Sequence, residues 1–506
     1  MMKKSLPLIL AFGILFLFFI QSAGTLVESI YILNLLGSGL NEKALALLFF
    51  FLPLLLLPFF RKYSYPLGWV LFGVLLLTRG LAPYLLITNR LITAGIATGA
   101  ALGLLLLFLG ARPRGEADAL IGPWGGAALA LAVSLSVLLR TVGDGIEYSL
   151  TPGGGWVGWV LAVLLGLSLT QVDWRIEPAR LPKRGPVTAP LVGVYMVVIL
   201  TYFAFSAPAV IARWTEGNYI LIVTIISLLS VGTIWLSLFR PGWIERISQR
   251  VRLAWNLLFT LSLTGTLLAH RVVFSPTLQS PPVVVGAPTI WQQIPLVFTL
   301  LLFPVLYIDL RVYLQQLQRS APSPHDLAPG IILGSFALIL LIFVHIFTNV
   351  WGYVDPVSTP FRNMFWLPYF LPAGLLSLLI WRSQPASPVS EPGAPVRWRW
   401  LSAGILAVIF LVTVIFALPA PLTPPSDEGK SSLVAMTYNV QQFNDETGEK
   451  SFDRQLALIR RVSPDILAMQ ETDSARISLN NNDYVRYFAE KLRYYIYYGP
   501  KTVTGT

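Results

Sequence analysis

The chain of 506 residues is 55% hydrophobic and only 12% charged, with a mean hydropathy of +0.68. Soluble domains carry roughly 25% charged residues, so an ordinary soluble enzyme is excluded; the 29 Phe, 19 Tyr and 15 Trp exclude disorder. The net charge of +11 divides into 26 Lys+Arg against 14 Asp+Glu over residues 1–418 and 10 against 11 over residues 419–506, that is, +12 and −1. The basic excess therefore lies where it orients membrane spans, not where it would grip a phosphate backbone. With no cysteine, there is no disulfide framework, thiol nucleophile or thiolate metal site.

A spanning helix needs about 20 mostly apolar residues. Thirteen segments qualify: 6–25, 43–60, 66–82, 91–110, 119–139, 156–172, 190–211, 219–238, 253–269, 290–308, 330–350, 365–381 and 401–418. Pro53, Pro58, Pro208, Pro304, Pro368 and Pro372 fall inside or at the ends of spans, which membrane helices tolerate. Lys3-Lys4, an apolar run and Ser22-Ala23-Gly24 also fit a secretory signal peptide, although the run is long for one.

With the amino terminus inside, alternate loops hold 19 Lys and Arg residues, among them Arg240, Arg246, Arg250 and Arg319. The other side holds 7: Lys43, Arg79, Arg90, Arg140, Arg213, Arg271 and Arg362. By the positive-inside bias this is a multi-pass membrane protein with a cytoplasmic amino terminus, and everything after Leu418 lies outside the cytoplasm.

The boundaries follow from composition. A multi-span domain covers 1–382, a Pro/Ser-rich cytoplasmic linker 383–400, a last span 401–418, a Pro-rich spacer 419–431 and a soluble tail 432–506. No internal repeat is visible, which speaks against an inverted-repeat transporter.

In the tail, Leu433–Val440 reads as a buried strand. Ser451 offers a cap for a helix with Phe452, Leu456, Ile459 and Val462 on one face, and Pro464 stops it. Ile466–Glu471 reads as a second buried strand. Asp483 caps a helix with Val485, Phe488, Ala489 and Leu492 on its apolar face, and Tyr494–Tyr498 reads as a third strand. The order β-α-β-α-β predicts the start of an α/β sandwich with its active residues at strand ends.

Two polar residues end these strands, Asn439 and Glu471. A carboxylate beside a neighbouring amide suits a hard divalent cation such as Mg²⁺, which takes oxygen ligands and keeps waters for a phosphate to share. The alternative is a turn asparagine and a solvent-facing glutamate.

Tyr438-Asn439-Val440, Asp453–Ile459, Pro464-Asp465-Ile466 and Gln470-Glu471-Thr472 resemble the opening of the endonuclease/exonuclease/phosphatase family, the fold of deoxyribonuclease I, sphingomyelinases and inositol-polyphosphate phosphatases. The resemblance implies that Glu471 holds a catalytic Mg²⁺ (or Mn²⁺) and that Asn439 positions metal and phosphate. Many spans followed by such a domain resemble the cell-wall-biogenesis proteins that remodel the lipid of glycosylphosphatidylinositol anchors. The run Asn482–Phe488 and the ending Tyr498–Thr502 are similar to that branch. The partners so implied are membrane lipid and a lipid-linked phosphate, with no nucleic acid.

The family's later His and Asp residues, its general base and transition-state stabiliser, have no counterpart here. The only histidines are His270, His325 and His345, all before the tail. No catalytic acid or base is therefore assigned, and the expectation is a fragment whose His and Asp lie beyond Thr506. A longer form would be a Mg²⁺-dependent phosphodiesterase or phosphatase acting on a lipid or lipid-linked head group. The alternatives are a lipid-handling scaffold or transporter with a remnant tail, and an extracytoplasmic nuclease.

Intramembrane ionisable groups are functional candidates. Asp309 and Arg79 read as interfacial anchors and His345 as an interhelical hydrogen-bonding group, with a head-group role as its alternative. Arg362 and Trp351, in an aromatic outer loop, are expected to help form a mouth presenting head groups to the tail.

Overall fold

The computed structural model describes residues 2–110, 121–171, 186–271, 287–320, 322–349, 359–361, 364–381, 396–420 and 431–498. Trp351, Arg362, residues 383–395 of the linker and 421–430 of the spacer lie outside the described residues.

The chain opens with a long helix, α1 (Met2–Leu35), whose span continues ten residues past the expected end at residue 25. Then come α2 (Leu40–Leu47) and α3 (Leu52–Leu81), the latter kinked at Tyr63. α4 (Ile87–Gly110), α5 (Gly125–Val142), α6 (Gly155–Leu169) and α7 (Thr188–Leu200) follow. A wide π turn over Thr201–Phe205 leads into α8 (Pro208–Thr215), with Pro208 in its first turn, where the missing N–H costs nothing. The rest of the bundle is α9 (Tyr219–Phe239), α10 (Pro241–Glu245), α11 (Gln249–Ala269), α12 (Ile290–Leu302), α13 (Val305–Ser320), α14 (Pro324–Asn349), α15 (Leu367–Trp381) and α16 (Val396–Ala417). Pro304 separates α12 from α13, yet together they form one apolar stretch from Ile290 to Ser320.

Among the described residues eleven helical stretches are long and apolar enough to cross a membrane. The remaining two expected spans correspond to the shorter apolar helices Gly155–Leu169 and Leu367–Trp381. α1 lies in the centre of the bundle, with Phe12, Phe16, Leu17 and Phe18 almost wholly buried.

Hydrogen bonds between loops separate the two ends of the bundle. At one end Gln249 donates to the carbonyls of Ile380 and Trp381, Gln318 accepts from the Gly122 amide, and Ser320 donates to Pro186. At the other, Gln293 donates to Thr215 and Gln292 to Ala269. The tail sits on this second end.

The tail comprises β1 (Ala435–Asn439), α17 (Phe452–Val462), β2 (Ile466–Gln470) and α18 (Tyr484–Leu492). β1 and β2 pair in parallel, Ala435 opposite Ile466 and Asn439 opposite Gln470. One face of this two-stranded sheet, through Met436, Tyr438, Leu467 and Met469, packs on the helices around Phe443, Leu456, Ile459 and Phe488. The opposite face is exposed, so both strands are half-buried rather than buried as expected.

The third expected strand does not form: Tyr494–Tyr498 is irregular. Its alternation is real, with Tyr495 and Tyr497 each 86% exposed. The inward tyrosines are fixed by their hydroxyls, Tyr494 donating to the Pro464 carbonyl and Tyr498 to Asp483, instead of by a backbone ladder. The helix faces are also rotated from expectation. Val462 is exposed, and α18 buries Tyr484 and Tyr487 alongside Phe488 and Ala489, while Val485 and Leu492 stay half-buried. Asp483 caps α18 as expected, accepting from the Arg486 amide at 3.0 Å. Ser451 instead bonds sideways, accepting from Gln455 at 2.9 Å.

Candidate functional site: a cleft between the tail and the first helix

The turns after β1 and β2 carry the polar residues that end the strands. Gln441, Gln442, Phe443, Glu471, Asp473 and Ala475 all have positive φ, between 41° and 61°, and none is glycine. Such backbone costs of order 1–3 kcal/mol per residue and clusters where a site demands it. The two turns hold each other: the Gln442 amide donates to the Glu471 carbonyl at 2.9 Å, and its side-chain amide donates to the Glu471 carboxylate at 3.3 Å. Asn439 accepts from the Gln441 amide at 3.0 Å. Asn439 and Glu471 are both exposed, on adjacent strand ends.

Glu471 lines a cleft of about 390 Å³ between these turns and the end of α1. Asp445, Glu446, Asp473 and Arg476 share it from the tail, and Tyr31, Ile32, Leu35 and Leu36 from the end of α1 and the residue after it. Two of the carboxylates are taken up by arginines, Asp473 by Arg476 at 2.7 Å and Asp445 by Arg454. The Tyr31 hydroxyl donates to Asp473 at 2.8 Å, tying α1 to the polar wall. Although its desolvation acts the other way, hydrogen bonds from Thr447, Arg454 and the Glu449 amide hold Asp445 down at about 2.

Among the described residues no three His, Asp or Glu side chains converge as a preformed metal cage. The donor chemistry nonetheless fits a hard cation. Glu471 and Asn439 each offer oxygens with lone pairs beyond the single hydrogen bond each accepts. Mg²⁺ is commonly bound through one or two carboxylates while retaining waters.

The tail is fixed to the bundle by an inserted loop, residues 473–483, in which every residue is buried. Arg140, at the end of α5, donates to the carbonyls of Asn480 (2.9 Å) and Asn481 (3.2 Å) and to the Asn482 side chain (3.0 Å). The same Asn482 oxygen accepts from the Glu147 amide, and Asn481 donates to the Tyr202 carbonyl. Gly24 leaves room for this loop on α1: a Cβ there would lie 1.9 Å from the Asn480 side-chain oxygen.

Beneath the loop a polar chain crosses the bundle. Arg79 donates to Gln21 at 2.9 Å and to Ser149 at 2.8 Å, Ser149 donates to Glu147 at 3.0 Å, and Glu147 faces Arg140 at 3.9 Å. At that distance the last pair attracts without hydrogen bonding. Burial raises the Glu147 carboxyl above its usual range, opposed by Arg140 and Arg79; burial likewise raises Asp483. Lys450 pairs with Glu28 of α1, and the Glu28 charge lifts its ammonium despite burial.

The structure thus brings Glu471 and Asn439 to one edge, as their positions on the strands predict. His345 is not at that cleft: it is buried in α14, with Nε2 2.7 Å from the Tyr369 hydroxyl of α15 and its ring against Phe203. That contact is the interhelical hydrogen bond expected of it. Arg362 and Trp351 lie outside the described residues. Arg79 and Asp309 are corrections, because neither anchors at an interface. Arg79 is 2% exposed within the polar chain, and Asp309 is wholly buried, accepting from Asn256 at 3.2 Å beside Arg252.

Sequence reasoning missed Tyr31, Asp473, Arg476 and Arg140. Asp473 and Arg476, three residues apart after a strand end, were a readable signal; Tyr31 and Arg140 join the site only through tertiary contact. No curated protein and no solved structure matches the chain. Residues 430–506 match the family model described as PGAP2IP, C-terminal nuclease-like domain, so the tail that forms one side of this cleft is similar to an exonuclease/endonuclease/phosphatase-like domain.

Proposed function

We propose that this chain is a membrane-anchored, metal-dependent phosphoric-ester hydrolase whose tail acts outside the cytoplasm on a lipid or lipid-linked head group. The observation that carries the reading is the cleft itself. A strand-end carboxylate, Glu471, is exposed at the lining of a cleft of about 390 Å³ whose other wall is the end of the first helix of the bundle. The family match over residues 430–506 supports the chemistry, and the strained turns on both sides of the cleft support a functional origin.

All thirteen apolar helices cross, on this reading. α6 begins beside Tyr148 at the tail-bearing end, and by Pro186 the chain is at the other end. α15 starts beside His345 and finishes where Trp381 accepts from Gln249. The positive-inside bias then assigns the tail-bearing end to the extracytoplasmic side of a cell membrane. The two-stranded sheet with its helices is the opening unit of an α/β sandwich.

Glu471 and Asn439 would hold Mg²⁺ or Mn²⁺, which supplies a Lewis acid for a phosphoryl oxygen. The side chains around them hold the geometry: Gln442 orients the Glu471 carboxylate, and Tyr31 with Asp473 fixes the Arg476 guanidinium. Arg476, bound to Asp473, brings a guanidinium charge to the cleft lining that complements a phosphate.

Glu471→Ala in the full chain is expected to lower Mg²⁺-dependent release of phosphorylated head group by at least 100-fold while leaving thermal unfolding unchanged. Unaltered turnover sinks the assignment. Equal loss in activity on an oligonucleotide would point to a nuclease, which the tail's charge of −1 disfavours.

A further inference from the structure

The two walls of the cleft differ in chemistry. On the tail side the lining is polar but for Gly448, and Asp445, Glu446, Glu471, Asp473 and Arg476 supply its charges. On the other side the end of α1 and the residue after it contribute Tyr31 and three aliphatic residues, Ile32, Leu35 and Leu36. Leu35 and Leu36 are 43% and 46% exposed. Leu35 closes α1 and Leu36 follows it, at the end of a helix whose residues 11–29 are buried in the bundle. The spacing between the walls is set by close contact: Gly448, at φ +81°, sits on α1, and a Cβ there would come within 2.8 Å of Leu36 and 2.9 Å of Ile32. The wall is therefore a built part of the cleft and not an accidental edge.

We propose that the end of α1, through Ile32, Leu35 and Leu36, is the wall that receives the apolar part of an amphiphilic phosphate ester entering from the surrounding lipid, while Arg476 and Glu471 face its head. The proposal rests on the hydrolase reading for the phosphate, but the role of α1 is a binding role separable from turnover. A soluble phosphate of the same head group would meet only the polar wall. Each methylene removed from water contributes about four-fold in affinity, so a few methylenes on the α1 wall separate the two ligands clearly.

The absence of cysteine makes a direct test available. Leu36→Cys in the full chain, purified in a maltoside detergent with Mg²⁺, carries the sole thiol. Its rate of maleimide labelling is measured with dihexanoyl phosphatidic acid and with glycerol 3-phosphate. Labelling is expected to slow at least five-fold with the amphiphile and less than two-fold with the soluble phosphate. A control thiol from Leu433→Cys, exposed and away from the cleft, should be unaffected by either. Protection should vanish when Leu35→Asp is added. Equal protection by both phosphates, or none by the amphiphile, overturns the proposal. Hydrolysis is read separately on the Leu36→Cys chain, so failure of the hydrolase reading leaves a different signature, with protection intact and no head group released.

Discussion

The two ends of the bundle treat basic residues in opposite ways. At the end away from the tail, Lys62, Arg240, Arg246, Arg250 and Arg319 are exposed. At the tail-bearing end, Arg79, Arg140 and Arg213 are 2%, 3% and 7% exposed, and Arg90 is paired with Glu449 at 2.8 Å. Arg213 lies 4.7 Å over the Tyr498 ring, and Arg486 of the tail 3.9 Å over Tyr219. Of the cations that run against the positive-inside bias, Arg90, Arg140 and Arg213 contact the tail and Arg79 braces the polar chain beneath it, whereas Arg271 is exposed. Burial of charge at this end goes with docking of the tail. Arg252 and Arg311 are buried at the far end too, where Asp309 and Glu245 face them, so burial there also comes with an acidic partner.

This contrast predicts its own hierarchy. The largest effect is expected for Arg140→Ala, which removes three hydrogen bonds to the inserted loop and leaves Glu147 buried without its partner. Breaking a buried pair in this way costs about 3–5 kcal/mol. Thermal unfolding in detergent, read by limited proteolysis of the tail, should show the tail released first. Adding Glu147→Gln should recover part of the loss.

Gly24→Ala comes next. Its methyl collides with Asn480, and overpacking of this kind costs roughly 1–3 kcal/mol. Asn480 has φ +56°, so Asn480→Gly fits that backbone and should restore the melting temperature of Gly24→Ala. Failure of the rescue would remove Asn480 as the docking contact on α1.

A smaller effect is expected from pH. Burial raises the Glu147 and Asp483 carboxyls, so the folded state binds their protons more tightly than the unfolded chain does. Stability from these groups is then present at low pH and falls as pH rises above the unfolded carboxylate range of about 4. Glu147→Gln should flatten the decline between pH 4 and pH 7 in a melting series. Asp445 acts in the other sense: its stabilisation is present above about pH 4 and is lost as pH falls toward its folded value of about 2.

The smallest effects belong to the exposed cations. Arg240→Ala or Arg250→Ala should change the melting temperature by an amount within about 0.5 kcal/mol. A large change at either would break the distinction between the two ends.

Much of the molecule was legible in the sequence because its signals are local. Apolar runs of spanning length placed the long apolar helices of the bundle but not the short α10, and Pro304 and Pro208 fell at helix boundaries. The apolar, β-prone runs Leu433–Val440 and Ile466–Glu471 placed both strands, Ala435–Asn439 and Ile466–Gln470, with Asn439 and Glu471 at their ends. The aromatic run Tyr494–Tyr498 misled, because β-prone residues with alternating exposure do not by themselves supply a partner strand to bond them. Arg79 and Asp309 misled for a related reason: an ionisable residue near a span end looks interfacial unless its partners from other helices are known.

The sequence by itself determined the largely apolar, helical class of the protein, its long apolar helices, the point where the nuclease-like tail begins and the strand-end pair Asn439 and Glu471. Those properties follow from hydropathy, charge and short-range periodicity, which act within a few turns of chain. Only the tertiary structure decided that the tail is seated on the bundle through residues 473–483, and that Tyr31 and Leu36, more than 400 residues before Glu471, form the other wall of its cleft. Long-range burial of polar groups depends on partners that no local pattern encodes. The central place of α1, with Gln21, Gly24, Glu28 and Tyr31 along the surface that meets Arg79, Asn480, Lys450 and Asp473, therefore had to be seen in three dimensions.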